Sequence, residues 1–381
     1  MNFEPGIERG QALEYFRDYL QREVSPLPTL YRKSLMEAPA LKQQLKALIP
    51  FGFISGWTPV ASGGQGIDYV TSGLFYEELA RAFPDLAGAA LIAESAASSL
   101  ARAGSEELRA LYLSGMLRAD LIGCVAISEP GCGSNPREMQ MRATRDGEGW
   151  RLRGEKTWIT NGSVSDLCIV VAHTGDNAFT RFLVPRAPDG YTTSEIETLG
   201  LRGWSTAQLF FDDVWVRDAN IVGGLDQGLN VTREALSRGR AFVALIAVGI
   251  AQAALDEAVQ YARDRRQFGK PIAGHQLVQD MIAEMATLIE ASRLLAYKAL
   301  ARLDSGQSTT MESAMAKQFA TEAATRVTSL AIQVHGACGL SCEFSVERHF
   351  RNARMLTIPD GTTQMNRLIV GREILGVSAF A

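Results

Sequence analysis

A single acidic residue stands at a sharp corner near the end of the chain, in the run Ile358-Pro359-Asp360-Gly361. Proline presets φ and glycine accepts positive φ, so the run predicts a tight turn. A helical pattern begins directly after it, and such a corner can hold a carboxyl group stiffly at the mouth of a cavity, as a general base requires. By itself the motif favours a plain turn, and a base at Asp360 is the functional alternative.

Four further stretches combine glycine with residues that can bind a ligand. Ala126–Asn135 contains a Gly-rich loop that lets backbone amides approach a ligand. Gly154–Gly162 contains a tryptophan followed by a hydroxyl residue, which can contact a flat ring. Asp264–Pro271, followed by His275-Gln276, contains adjacent arginines, which bind phosphate in a fork. Gln333–Gly339 places a glutamine ahead of two glycines. Each also fits a structural role as a hairpin loop, a core tryptophan before a turn, a cationic helix end or a helix cap.

The composition narrows the class of protein. The chain has 381 residues, enough for two or three domains, with 46% hydrophobic and 21% charged residues. A net charge of −4 provides no basic face for nucleic acid. Five cysteines without a Cys-x-x-Cys pair favour a reducing compartment and argue against a zinc site. We therefore expect a cytoplasmic protein without a metal centre.

No segment predicts membrane insertion. The chain does not open on a basic-then-apolar signal segment. Its longest apolar run, Ala241–Ala251, is much shorter than the roughly 20 residues that cross a bilayer. We expect this run to be a buried helix of a bundle.

The periodicity changes twice along the chain. Apolar residues spaced three and four apart, as at Leu13, Phe16 and Leu20, predict helices up to about residue 118. Short β-branched or aromatic stretches between Gly, Asp and Pro breaks follow from Leu121, and long helical periods return from Leu229. We predict an α+β protein with a helical N-terminal domain at 1–119, an antiparallel β domain at 120–222 and a four-helix bundle at 223–381.

The order and spacing of the five stretches resemble the acyl-CoA dehydrogenase family over nearly the whole chain. That family combines a helical N-terminal domain, a middle β domain and a C-terminal four-helix bundle. The resemblance implies an FAD enzyme that dehydrogenates an acyl thioester carried by CoA or an acyl carrier protein. It further implies a homotetramer that passes electrons to an electron-transferring flavoprotein or another external acceptor.

The resemblance assigns three groups of residues. Trp158 would cover one face of the isoalloxazine, and Thr160 would donate toward flavin N5. Asp360 would remove the α-proton while the β-hydrogen leaves as hydride, and its backbone N–H would polarise the thioester carbonyl. The FAD group within one subunit is Ile127, Ser128, Gly133, Ser134, Trp158 and Thr160. The group that reaches the FAD of a neighbouring subunit is Arg265, Phe268, Gln276, Gln333 and Gly336, with Thr362 and Gln364 closing over the nucleotide. The group that borders the thioester is Ser134, Arg240, Trp204 and Gly361.

The chain departs from the family at the base. Relatives usually carry Glu where this chain has Asp360, and a subset carries the base at the position of Gly239, which supplies none. Losing one methylene withdraws the carboxylate by about 1.5 Å, and a misplacement of ~1 Å can cost on the order of 10²-fold in rate. Asp also has an ordinary pKa of about 3.9, so a base that works near neutrality needs burial.

A second departure concerns the substrate pocket. Trp204 stands where relatives more often have a small residue, which indicates either a reshaped acyl cavity or a buried structural tryptophan. Together the departures predict a bulky, cyclic or otherwise unusual acyl group. Two alternatives stay open: a flavoprotein oxidase of the nitroalkane-oxidising type that uses O₂, and a flavin-binding relative without catalytic activity.

Overall fold

The computed structural model describes residues 6–186 and 189–379. An N-terminal helical layer, a β-sheet and a C-terminal helical bundle follow one another along the chain. The predicted order of helical, β and helical regions is therefore confirmed.

The N-terminal layer is built around one small-residue helix. Alanine, glycine and serine at most positions of Pro84–Ala103 let it lie between the sheet and the bundle, with nearly its whole surface buried. Asn161, at the end of a long strand, donates from Nδ2 to the carbonyl of Ala89 at 2.9 Å, which fixes this helix to the sheet. The helices of the layer are α1 (Ile7–Tyr19), α2 (Leu27–Leu30), α3 (Ala38–Leu48), α4 (Tyr69–Ala82), α5 (Pro84–Ala103), α6 (Glu106–Leu108) and α7 (Ser114–Leu117).

The main sheet has seven strands and is mixed, so the prediction of an antiparallel domain was wrong. Its strands are β1 (Gly123–Ala126), β2 (Arg142–Asp146), β3 (Gly149–Thr160), β4 (Leu167–Gly175), β5 (Ala178–Pro185), β6 (Thr192–Glu195) and β7 (Thr206–Arg217). β1 pairs with β4 in parallel, whereas β2 with β3 and β4 with β5 form antiparallel hairpins. Only adjacent strands joined by short turns must be antiparallel, and β1 reaches β4 after a long excursion through β2 and β3.

Long helices form the bundle. They are α8 (Gly228–Asp264), α9 (Gln276–Asp304), α10 (Thr310–His335), α11 (Val346–Leu356) and α12 (Thr363–Leu375), with the short hairpin β8 (Arg266–Gln267) and β9 (Lys270–Pro271) between α8 and α9. The α8 helix is long and apolar enough to cross a membrane, but 72% of its apolar window is buried inside the protein. The Ala241–Ala251 run lies in this buried part, as predicted.

Candidate active site

The Asp360 corner is a tight turn in which two successive residues adopt the left-handed conformation. Asp360 has φ +54° and Gly361 has φ +93°. Aspartate tolerates this region better than most residues with a side chain, and glycine accepts it freely. Thr362 then caps α12 by accepting from the N–H of Met365 at 3.2 Å. Gln364 is exposed in the first turn of this helix.

Side chains from two other helices hold the backbone of this corner. Arg240 on α8 donates from Nε to the carbonyl of Asp360 at 2.9 Å. Lys317 on α10 donates from Nζ to the carbonyls of Gly361 at 2.8 Å and Thr357 at 3.1 Å. Asn366 donates to the Gly361 carbonyl at 2.7 Å. The peptide planes are therefore fixed through their carbonyl groups, and the Asp360 carboxyl takes no part in these hydrogen bonds.

Gly239 lies directly beside the carboxyl group. A Cβ atom added at Gly239 would come within 2.9 Å of Oδ2 of Asp360. The two positions that the family resemblance associates with a base thus share one region of space. The missing side chain at Gly239 is what leaves room for the shorter acid.

Burial and two cations act on Asp360 in opposite directions. Burial raises the pKa of Asp360, while the positive charges of Arg240 and then Lys317 lower it, and the net result is a raised pKa. Burial also lowers the pKa of Lys317 to about 8, although the charge of Asp360 opposes that shift. The site therefore contains an acid and an amine whose pKa values move toward neutrality.

The Lys317→Met variant tests this arrangement through stability. Between pH 8 and about 10.4 the unfolded chain binds a proton that folded Lys317 has lost, so wild-type stability gains on the order of 3 kcal/mol from this residue as pH rises. The variant should lack that gain, which thermal melts of both proteins across this range would show. Lys298→Met, at an exposed position on α9, is the matched control. A stability difference between wild type and Lys317→Met that is independent of pH would contradict the assignment.

A buried ion pair joins the first two of the stretches that the sequence predicts to bind a ligand. Lys156 on β3 has a fully buried side chain and donates from Nζ to the Ile127 carbonyl at 2.9 Å and to Oε1 of Glu129 at 2.8 Å. The Glu129 carboxylate also accepts the N–H groups of Gln140 and Met141. These contacts fix the loop that carries Ile127 and Ser128. Glu129 and Lys156 lie inside the stretches quoted from the sequence, but they were not predicted as site residues.

Trp158 projects from the sheet beside this loop. It has φ +63° and lies where the register between β3 and β7 shifts, so its ring is 63% exposed. Thr157 donates its N–H to the Ser128 carbonyl at 2.9 Å, and Thr160 is paired with Thr206. Added Cβ atoms at Gly131 and Gly133 would meet nothing within 4 Å, and Ser134 is exposed. An exposed aromatic face next to open glycine backbone fits a flat cofactor with phosphate groups, as FAD is.

The predicted second FAD group lies at the opposite end of the bundle. Arg265 ends α8, Phe268 is 92% exposed in the hairpin, and Gln276 begins α9. The ring of Tyr261 stacks on His335 at 4.3 Å, which brings the end of α10, with Gln333 and Gly336, to the same place. Helical rise places Arg265 about 38 Å from Arg240 along α8. Within a single chain, the residues of the second FAD group therefore lie far from Asp360.

The Trp204 indole packs against Gly88 of α5. A Cβ atom at Gly88 would come within 1.8 Å of the indole Cζ3, so the ring requires glycine there. The indole Nε1 is buried and has no hydrogen-bond partner within the described ranges. The next residue, Ser205, accepts the N–H of Asn161 at 3.0 Å, which ties Trp204 to the end of the strand that carries Thr160.

Comparison with known proteins gives the family. The chain matches the descriptions "Acyl-CoA dehydrogenase, N-terminal domain" over residues 8–120, "middle domain" over 124–214 and "C-terminal domain" over 226–375. It is 38% identical to cyclohex-1-ene-1-carbonyl-CoA dehydrogenase of Geobacter metallireducens, covering 97% of this chain and 98% of the relative. It is 34% identical to the 3-(aryl)acrylate reductase of Clostridium sporogenes, covering 94% and 96%.

Solved structures agree with this result. A glutaryl-CoA dehydrogenase from Mycobacterium smegmatis in complex with FADH2 superimposes with a TM-score of 0.92 at 28% identity, over 99% of this chain and 97% of the other. The three matched domains together cover the Asp360 corner and the four glycine-containing stretches of the sequence. The chain belongs to the acyl-CoA dehydrogenase family of FAD-dependent oxidoreductases.

Proposed function

We propose that this enzyme dehydrogenates a bulky or cyclic acyl-CoA between Cα and Cβ, with Asp360 as the α-proton base. The observation that carries the proposal is the Asp360 carboxyl group itself. It is free of the hydrogen bonds that hold its corner, stands beside the side-chain-free Gly239, and has a raised pKa. These properties fit a base that must accept a weakly acidic carbon-bound proton.

The corner can supply both the base and the oxyanion donor. In the part of the chain that the structure describes, no group accepts from the Asp360 N–H, so it can donate to the thioester carbonyl as negative charge develops there. Arg240 and Lys317 hold the carbonyls of Asp360 and Gly361, which fixes the two peptides that follow this N–H and so the corner around it. When bound beside Trp158 and Thr160, FAD supplies the hydride acceptor.

The cofactor site is completed by a second copy of the chain. Within one subunit Arg265, Phe268, Gln276, Gln333 and Gly336 lie far from Asp360, which supports their reaching FAD in a neighbour. A groove of about 270 Å³ between α8 and α9, lined by Ala262, Val278 and Ile282 among others, lies beside the exposed hairpin. We infer a homotetramer in the cytoplasm that transfers electrons to an electron-transferring flavoprotein or another external acceptor.

A polar cavity on the sheet supports CoA as the carrier. It has a volume of about 530 Å³ and is lined by Arg137, Gln140, Arg142 and His173, directly after the Ser134 loop. Arginine binds phosphate in a fork, and CoA carries phosphate groups at the end distant from the thioester. We expect Arg137→Gln combined with Arg142→Gln to raise KM for acyl-CoA by about 10-fold and to leave KM for the same acyl-pantetheine unchanged. Equal effects on both thioesters would contradict this placement.

The acyl group is proposed from Trp204 and from the relatives. One relative is a dehydrogenase of cyclohex-1-ene-1-carbonyl-CoA and another is a reductase of 3-(aryl)acrylate, so cyclic and aromatic groups occur close by in the family. We propose that Trp204, which is held on Gly88 and is only partly buried, forms a wall of the acyl pocket that limits linear chains and contacts a ring. Because one relative is a reductase, both directions of the reaction are worth measuring.

A panel of CoA thioesters with an artificial electron acceptor tests the proposal. We expect the best kcat/KM with cyclic or aryl acyl groups and a loss of at least about 10-fold of that preference in Trp204→Ala, because even one methylene of pocket fit is worth about 1–3 kcal/mol and the indole ring is larger. Trp215→Ala, at a half-exposed tryptophan on β7, is the matched control and should keep the wild-type preference. Highest turnover on short linear thioesters would contradict the substrate proposal.

The aspartate also favours a second candidate, an oxidase of the nitroalkane-oxidising type. Such an enzyme would take a small substrate without CoA and would be reoxidised by O₂. Anaerobic flavin bleaching by acyl-CoA, compared with bleaching by a nitroalkane, separates the two. Bleaching by nitroalkane alone would favour the oxidase, whereas no bleaching by any substrate would favour a binding protein.

A further inference from the structure

A fully buried arginine lies where β5 meets helices from the other two layers. Arg181 on β5 is 1% exposed. Its neighbour Phe182 packs into the core of the sheet, while Leu183 packs with the end of α5. The start of α8 lies against the same strand, since a Cβ at Gly228 would be 2.7 Å from the carbonyl of Phe179. Protein therefore surrounds the Arg181 guanidinium on several sides.

Within the part of the chain that the structure describes, the Arg181 guanidinium makes no hydrogen bond. Its Nε and Nη1 are buried and have no hydrogen-bond acceptor among the described residues. Burial and the nearby charge of Arg238 on α8 lower the pKa of Arg181 to about 10. Burial and the charge of Arg102 on α5 likewise lower the pKa of Arg238, with Glu234 on the same helix opposing them. Arg102 donates to the hydroxyls of Ser98 and Tyr69.

No carboxylate of the described residues forms an ion pair with this group. Within residues 6–186 and 189–379, none of Arg102, Arg181 and Arg238 forms an ion pair with an acidic side chain. Buried charges in proteins are nearly always paired, because an isolated one costs several kcal/mol. A guanidinium has five N–H donors in a fork that matches the oxygens of phosphate or carboxylate. Water could satisfy the donors but would not neutralise the charge.

We propose that Arg181 and Arg238 bind a small oxyanion at the junction of β5, α5 and α8, with Arg102 at the edge of the site. The oxyanion comes from one of two sources. It is free inorganic phosphate, or it is a carboxylate at the far end of an acyl group. Arg238 directly precedes Gly239, the residue beside the Asp360 carboxyl, so both positions belong to the same turn of α8, although their side chains leave the helix in different directions. Only the second source, the carboxylate of an acyl group, rests on the proposed function.

Thermal melts of the FAD-loaded protein test the first source without turnover. In a buffer free of oxyanions, added sodium phosphate should raise the Tm of the wild type saturably, beyond the effect of sodium chloride at equal ionic strength. Arg181→Met should lose this response, and it should melt at a higher temperature than the wild type before phosphate is added, because it removes an unpaired buried charge. Arg153→Met, at an exposed residue on β3, should behave as the wild type. If Arg181→Met does not fold, Arg238→Met replaces it.

Kinetics tests the second source. Two acyl-CoA thioesters of equal length, one with a terminal carboxylate and one without, are compared in the wild type and in Arg181→Met. If the carboxylate occupies the site, the variant raises KM for the carboxylated thioester by about 10²-fold and leaves the other unchanged. The proposal is overturned if the wild type shows no phosphate-specific Tm shift and Arg181→Met treats the two thioesters alike. It is also overturned if the phosphate shift persists in both Arg181→Met and Arg238→Met. If no thioester is turned over at all, the proposed function fails while the melts still decide the site.

Discussion

Asp360→Asn is expected to lower kcat with the best acyl-CoA by about 10²–10⁴-fold, the range that a general base contributes. The amide keeps the size of the side chain and accepts the left-handed backbone at φ +54°, so the corner should survive. Arg240, Lys317 and Asn366 hold backbone carbonyls, and none of those hydrogen bonds involves the carboxyl group. FAD content should therefore equal that of the wild type. Turnover assays with FAD content measured on the same samples check this.

The control for this prediction is another aspartate in the same backbone conformation. Asp213 has φ +59° and is exposed at the surface of the sheet, so Asp213→Asn should leave kcat unchanged. Asp360→Glu keeps an acid and extends it into the space beside Gly239, and it should retain more activity than Asp360→Asn. Equal losses in Asp360→Glu and Asp360→Asn would indicate that the corner serves structure rather than proton transfer.

Lys156→Met is expected to destabilise the protein by about 3–5 kcal/mol, because it leaves the carboxylate of Glu129 buried without its cation. It also removes the donor to the Ile127 carbonyl, so the loop beside Trp158 loses its fixed geometry. We expect a lower Tm and weaker retention of FAD on dilution. Thermal melts followed by flavin release measure both quantities.

Two comparisons make this prediction specific. Lys46 pairs with Asp120 at 2.7 Å in an exposed ion pair, so Lys46→Met should cost about 1 kcal/mol or less. Combining Lys156→Met with Glu129→Leu removes both charges and should recover part of the lost stability. If Lys156→Met melts like Lys46→Met, the buried pair does not stabilise the loop.

Periodicity was sufficient to predict the layers of the fold. Buried apolar residues spaced three and four apart mark α1, and the apolar run Ala241–Ala251 marks the buried centre of α8. Most side chains of β2 and β6 are exposed, so Arg142–Asp146 and Thr192–Glu195 show no apolar alternation from which a strand could be predicted. The parallel pairing of β1 with β4 was missed because strand direction depends on a long connection that local sequence does not encode.

The site was predictable only where its residues form local motifs. The Asp360 corner and the Trp158 segment could be identified because several of their residues are adjacent in sequence. Lys317 and Asn366 were not predicted, and Lys317 in particular is an ordinary lysine within α10 whose contact to Gly361 joins residues far apart in sequence. Arg181 lies in a strand, where the sequence alone marks nothing unusual, and only the structure reveals that its buried charge lacks a partner among the described residues.

The most direct test of the base assignment is anaerobic single-turnover bleaching of bound FAD by the best acyl-CoA, in wild type and Asp360→Asn, with hydrogen or deuterium at Cα. If Asp360 removes the α-proton, deuterium slows bleaching in the wild type and the variant bleaches about 10²–10⁴-fold more slowly. Bleaching of Asp360→Asn at the wild-type rate, with the same isotope effect, would contradict the account.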